Sequence, residues 1–203
     1  MIAVIIGIVL VGGILAGPIM SDVEAPEYEV VESRGDIEIR QYGPMIIAEV
    51  QTEGGREEAI RDGFRLLADY IFGNNTVRQD IAMTAPVQQQ ESAEIAMTAP
   101  VQQQSAGGSW QVSFVMPSEY TLATLPKPKD GRITVKEIPS KKFAVIVFSG
   151  THSDENVKEH EKRLMDYVQA GSMSVSGTPK YAFYNPPWTL PVMRRNEVMI
   201  EIE

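Results

Sequence analysis

The sequence predicts an α+β domain built from two similar halves, and three observations lead there. Short runs of apolar and polar residues alternate with a period of two at several places, which marks half-buried strands. Two longer segments carry apolar residues at helical spacing. The order strand, helix, strand, strand occurs around residues 44–117 and recurs around 142–203. The turns between strands are short, which favours antiparallel pairing over a doubly wound parallel sheet.

Taken in order, the soluble part opens after a linker at 21–26. GDIEIRQYG alternates Ile37 and Ile39 with Glu38 and Arg40, and PMIIAEVQTE at 44–53 is a second strand. REEAIRDGFRLLADYIFG follows as an amphipathic helix with Ile60, Phe64, Leu67 and Ile71 on its expected inner stripe. Glu57 and Glu58 suit its first turn, and Gly73 ends it. WQVSFVM places Trp110, Val112, Phe114 and Met116 on one face of a strand, and LPKPKDG at 125–131 reads as a loop. RITVKEIP and KFAVIVFSGT are strands, and the unbroken apolar run 143–148 predicts burial on both faces. Ser153 is the expected N-cap of a second helix, DENVKEHEKRLMDYV, with Val157, Leu164 and Val168 inward. GTPKYAFYNPP and EVMIEIE close the chain as strands.

The first twenty residues, MIAVIIGIVLVGGILAGPIM, carry no charge. That length crosses a hydrocarbon core of about 30 Å as a helix. The alternative is a cleaved signal peptide, but no Lys or Arg precedes the apolar run and the cleavage site after Ala16 is poor. We therefore expect a single-pass transmembrane anchor over 1–20, followed by a domain over 27–203. Ala3 with Gly7, and Gly13 with Gly17, are small-xxx-small pairs that let helices pack closely in lipid. Membrane lipid and other transmembrane subunits are the expected partners, with the domain on the periplasmic or extracytoplasmic side.

The net charge of −9 repels phosphate backbones, so no nucleic-acid partner is expected. There is no cysteine, which removes disulfides, thiolate metal sites and cysteine nucleophiles. No nucleophile elbow, HExxH, P-loop or dinucleotide fingerprint is present, so no enzyme is expected.

One decapeptide, IAMTAPVQQQ, starts at Ile81 and again at Ile95. A shift of fourteen residues is even, so either copy can occupy one strand with the same side chains inward. The expected reading is a tandem insertion at 81–104 absorbed by a connection, since doubling a loop costs only about 0.6 kcal/mol. A hairpin that grips a partner and a doubled ligand site are the other readings.

YEVVESRGDIEIRQYGPMIIAEV at 28–50, IAMTAPV at 81–87 and PPWTLPVMRRNEVMIEI at 186–202 resemble the SOUL haem-binding family. The resemblance covers nearly all of 27–203. It implies a distorted β-barrel of two antiparallel four-stranded sheets with two helices, in pseudo-twofold βαββ halves. It also implies non-catalytic binding of haem or a related tetrapyrrole in a hydrophobic cleft. Two departures are the anchor and the second IAMTAPVQQQ.

Haem iron takes His, Cys, Met or Tyr; there is no Cys, and the histidines are His152 and His160 alone. His160 falls at the edge of the second helix's stripe, and His152 in the turn before it. Met83 and Met97 could line a tetrapyrrole cleft. Arg194 and Arg195 could pair with propionates, against the blander reading that RRNE makes structural ion pairs. Haem binding and the absence of any cofactor stand about level. The alternative function is an accessory subunit that uses the fold as a docking block on a photosynthetic or respiratory membrane complex.

Overall fold

The computed structural model describes residues 24–76, 95–186 and 188–203. The elements in chain order are β1 (Tyr28–Arg34), β2 (Ile37–Tyr42), β3 (Met45–Thr52), α1 (Arg56–Ile71), β4 (Asn75–Thr76), β5 (Val101–Ala106), β6 (Ser109–Val115), β7 (Lys127–Pro128), β8 (Thr134–Ile138), β9 (Lys141–Phe148), α2 (Asp154–Ala170), β10 (Val175–Phe183) and β11 (Asn196–Ile202). The anchor expected over 1–20, with Ala3, Gly7, Gly13 and Gly17, lies outside the described residues. Among the described residues no helix is long and apolar enough to cross a membrane.

The strands form one antiparallel ladder in the order β1-β2-β9-β11-β10-β5-β6-β3-β8, with β4 and β7 paired apart. This corrects the expectation of two separate sheets. The two halves, β3-α1-β5-β6 and β9-α2-β10-β11, are joined where β10 pairs with β5 from Lys180↔Gln104 to Phe183↔Val101. Read outward from that seam, each half runs second strand, third strand, first strand, followed by β8 on one side and by β2 and β1 on the other.

Both helices cover the same face of the sheet. Tyr181 on β10 packs in the cluster that holds Val157, Leu164 and Val168 of α2. Its cross-strand partner Gln103 donates from Nε2 to the Arg56 carbonyl at the start of α1, at 2.8 Å. Directly paired residues of an antiparallel ladder share a face, so α1 and α2 lie side by side. Their first turns are tied by the Arg56 Nε–Asp154 Oδ1 ion pair at 2.6 Å.

Helix α2 forms where the sequence placed it. Ser153 Oγ accepts from the Asn156 amide, Asp154 and Glu155 occupy the first turn, and the inward residues are Val157, Leu164 and Val168. Helix α1 differs in its inner stripe. Leu67 and Ile71 are buried as expected, but Phe64 is exposed and Ile60 only partly covered, while Ala59, Gly63 and Tyr70 face inward. The cause is close packing. A Cβ on Gly63 would stand 2.5 Å from Val112 Cβ on β6, so the helix seats on the strand through its smallest residues. Burial of Leu67, Tyr70 and Ile71 then contributes about 1.5–3 kcal/mol for each side chain. On β9 the run Phe143 to Ile146 is buried on both faces, because α2 covers one and the Tyr42–Met199 cluster the other.

The second copy of the repeated decapeptide enters the fold. Ile95 is buried and its amide donates to the Ile71 carbonyl at 2.7 Å. Thr98 Oγ1 donates to the Val115 carbonyl, and the Ala99 amide to the Glu24 carbonyl at 2.9 Å. Val101 to Gln104 then form β5. The first copy, with Met83, lies outside the described residues.

Candidate functional site

The connection from β10 to β11 and the turn from β9 into α2 meet at one end of the sheet. The Gly150 amide donates to the Pro191 carbonyl at 2.8 Å, and Asn196 Nδ2 donates to the Gly150 carbonyl at 3.2 Å. Within the connection, Thr189 N bonds Pro186 O, Met193 N bonds Leu190 O, and Arg194 Nε bonds Thr189 O at 2.8 Å. The loop therefore satisfies its backbone locally and turns its side chains outward. Trp188 is 83% exposed, Val192 80%, Leu190 64% and Met193 46%. Four large apolar side chains open to water within residues 188–193 form the kind of patch that marks a binding surface.

His152 stands beside this loop. Its ring meets Phe183 edge to face at 5.7 Å. Burial, reinforced by the nearby Arg56 and Arg194 charges, holds its pKa below the ordinary 6.5, so the imidazole is neutral at pH 7. A neutral imidazole is the form that ligates a metal. Arg56, whose Nη2 donates to the His152 carbonyl, lies 5.8 Å from the Phe183 ring and 6.0 Å from Tyr181. Buried Arg56 Nη1 and Gln103 Oε1 are left without hydrogen-bond partners in this seam between the helices.

His160 is held differently. Its Nδ1 lies 2.7 Å from the Asn156 carbonyl one turn earlier, and its ring stacks on Phe148 at 4.0 Å and 12°. A carbonyl only accepts, which assigns the proton to Nδ1 and leaves Nε2 as the acceptor. The structure thus places the two histidines at opposite roles: one packed into its own helix, one beside the apolar loop.

The arginines also separate. Arg195 donates from Nε at 2.9 Å and from Nη2 at 2.5 Å to Glu197 Oε1, and stacks 4.3 Å over Tyr184. Glu197, fully buried, also accepts from Arg40 Nη1 at 3.0 Å and from the Tyr184 hydroxyl at 2.9 Å. Burial alone would lower the Arg40 and Arg195 pKa values, but Glu197 acting together with Tyr42 and Tyr28 around Arg40, and with Tyr184 and Tyr28 around Arg195, outweighs it and both are raised. Burial, then Glu197, pushes the Tyr184 phenol up. RRNE is in this respect a structural ion network with Arg195 inside it, while Arg194 caps the loop. Met97 is 37% exposed at the start of the second decapeptide copy.

Neither of two recesses on the surface contains a histidine. The larger, about 1010 Å³, opens between the N-terminal segment and β3 and is lined by Tyr28, Tyr42, Met45, Met116, Tyr120 and Leu122 among others. Among the described residues no group of three or more His, Asp or Glu side chains is placed to hold a metal ion. Sequence reasoning missed the exposure of Trp188, Leu190 and Val192.

The SOUL heme-binding protein family profile matches residues 23–201. The chain belongs to that family. Among curated proteins it is similar to human Heme-binding protein 2, 27% identical over 184 residues that cover 88% of this chain and 85% of the human one. Among solved structures, the EcmrR C-terminal domain aligns at TM-score 0.58 and 10% identity, over 87% of this chain and 98% of that one. A Listeria innocua protein titled a hydrolase aligns at TM-score 0.53 and 8% identity, over 85% and 94%. These two share the fold with this SOUL domain, and at such identities the likeness extends no further.

Proposed function

We propose that this SOUL-family protein is a non-catalytic haem or tetrapyrrole carrier, tethered to a membrane by residues 1–20. The porphyrin would lie against Trp188, Leu190 and Val192, and His152 would be the residue that holds its iron. The observation that carries the reading is the exposed apolar loop beside a neutral, half-buried imidazole. A porphyrin is a flat apolar disc, and covering three such side chains supplies about 1.5–3 kcal/mol each. Micromolar binding corresponds to about 8 kcal/mol, so the loop contributes a large share before any bond to iron. The bound group would supply the redox and ligand chemistry of its iron, whereas the protein grips, orients and shields one face. Arg194, fixed to the Thr189 carbonyl at the loop's base, is the nearer arginine for a propionate, because Arg195 is committed to Glu197.

The test is a haemin titration of the full chain followed at the Soret band, with His152→Ala and His160→Ala alongside. A saturable one-to-one shift that His152→Ala weakens at least fivefold and His160→Ala leaves alone supports the assignment. The reverse pattern moves the ligand to His160. No saturable shift removes the carrier reading and leaves the docking-block alternative. Resistance of the full chain, but not of a chain lacking 1–20, to alkaline extraction from membranes tests the tether.

A further inference from the structure

On the face of the sheet away from the helices, the β10–β5 seam forms the floor of a second recess of about 320 Å³. That volume sits at the small end of the range for small-molecule sites. Its wall on one side is the Lys136–Glu49 pair at 2.6 Å, and on the other the Lys141–Glu201 pair at 2.7 Å. Gln111 Nε2 donates to Glu49 and Gln104 Nε2 to Thr178, so these groups are engaged.

Three floor side chains are not. Lys180 makes no ion pair or hydrogen bond among the described residues, and its only partner is the Phe143 ring, 5.1 Å from Nζ. Gln102 and Ser113, directly paired across β5 and β6, use neither the amide nor the hydroxyl among the described residues. Lys180 pairs with Gln104, two residues along from Gln102, so all three share the face and lie on neighbouring strands. The recess holds three ammonium groups and two carboxylates, so its field is positive by one charge. A half-buried ammonium with no direct ion pair among the described residues attracts an anion, and one surplus charge matches a monoanion better than a phosphate dianion. Gln102 and Ser113 each donate and accept, so the body of the ligand must also do both, as hydroxyl groups do.

We propose that this recess binds a small hydroxylated monocarboxylate, with the carboxylate on Lys180 and the hydroxyl groups on Gln102 and Ser113. Burial, then the neighbouring Lys141 and Lys136, lower the Lys180 pKa against the opposing pull of Glu201 and Glu49. A bound carboxylate reverses that shift, so affinity falls as pH rises towards the free protein's Lys180 pKa. The site lies across the sheet from the histidine-bearing loop and is independent of tetrapyrrole binding.

The experiment is calorimetric titration of the full chain with gluconate, with sorbitol as the same carbon chain lacking the carboxylate, and with inorganic phosphate. Saturable gluconate binding, no saturable sorbitol binding, and an affinity at least tenfold weaker in Lys180→Met are expected. Gln102→Leu, which spares the charge, weakens gluconate by a smaller factor. Thermal unfolding checks that both variants fold, and haemin titration of Lys180→Met should match wild type. Equal gluconate binding by Lys180→Met, or none by wild type, overturns the site. Tighter binding of phosphate than of gluconate overturns the monocarboxylate assignment.

Discussion

Glu197 is where a single residue decides most. It is fully buried and takes hydrogen bonds from Arg40, Arg195 and Tyr184. Without it Arg195 and Tyr184 lose their carboxylate and Arg40 keeps only Glu38, and breaking such a buried network costs about 3–5 kcal/mol. Glu197→Gln should therefore lower the unfolding free energy by about 3 kcal/mol in a urea titration, and an effect under about 1 kcal/mol would refute this role. Gly63 gives a contest between two effects. Alanine is the better helix former by about 1 kcal/mol, but its Cβ would press on Val112 Cβ at 2.5 Å. Overpacking costs about 1–3 kcal/mol, so Gly63→Ala should destabilise on balance, read from the same urea midpoint. His152 sets a pH dependence. Its folded pKa lies below the unfolded 6.5, so the folded state resists protonation, and its contribution is constant above pH 6.5. As pH falls from 6.5 towards the folded value, stability declines and proton competition for the imidazole begins. Haemin affinity should accordingly stay flat from pH 8 down through 6.5 and drop only as pH falls through the folded His152 pKa below it, a dependence that His152→Ala abolishes.

The elements were legible in the sequence to the extent that their signals are local. The alternation of Ile37 and Ile39, the doubly buried run on β9 and the Ser153 cap all appear as read. The inner stripe of α1 was misplaced because Ala59 and Gly63 carry almost no hydrophobic signal, although their smallness is what brings the helix onto β6. The long connection after α1 carries the repeated decapeptide, of which the copy at Ile95–Gln104 supplies β5 and its approach. Deleting residues 81–94 leaves one complete copy, preceded by VRQD as the first copy is and followed by SAGG as the second is. The shortened protein should fold with a stability within about 1 kcal/mol of the parent, since loop length enters only logarithmically. Loss of cooperative unfolding, followed by circular dichroism, would show instead that the first copy contributes to the domain.

At the scale of the whole molecule, two βαββ halves share one sheet, and the β10–β5 pairing that joins them is a long-range feature no local period encodes. That single seam presents two different surfaces. Towards the helices it offers Tyr181, Phe183, Arg56 and His152, close to the apolar loop, and on the far side it offers the lysine-floored recess. The site was less legible than the fold because an apolar residue in a sequence defaults to the core. Trp188, Leu190 and Val192 became candidates only once their exposure was seen, whereas His152 and His160 were visible as residue types but not as roles. The chain contains two tryptophans, Trp188 on the exposed loop and Trp110 packed near Tyr181 at 6.2 Å, which allows the central claim to be read optically. The most direct measurement is quenching of tryptophan emission during haemin titration of the full chain, compared with Trp188→Phe. If haem lies on the loop, wild type shows saturable quenching and most of its amplitude disappears in Trp188→Phe. Quenching of the same amplitude and affinity in that variant would contradict the account and place the porphyrin elsewhere on the protein.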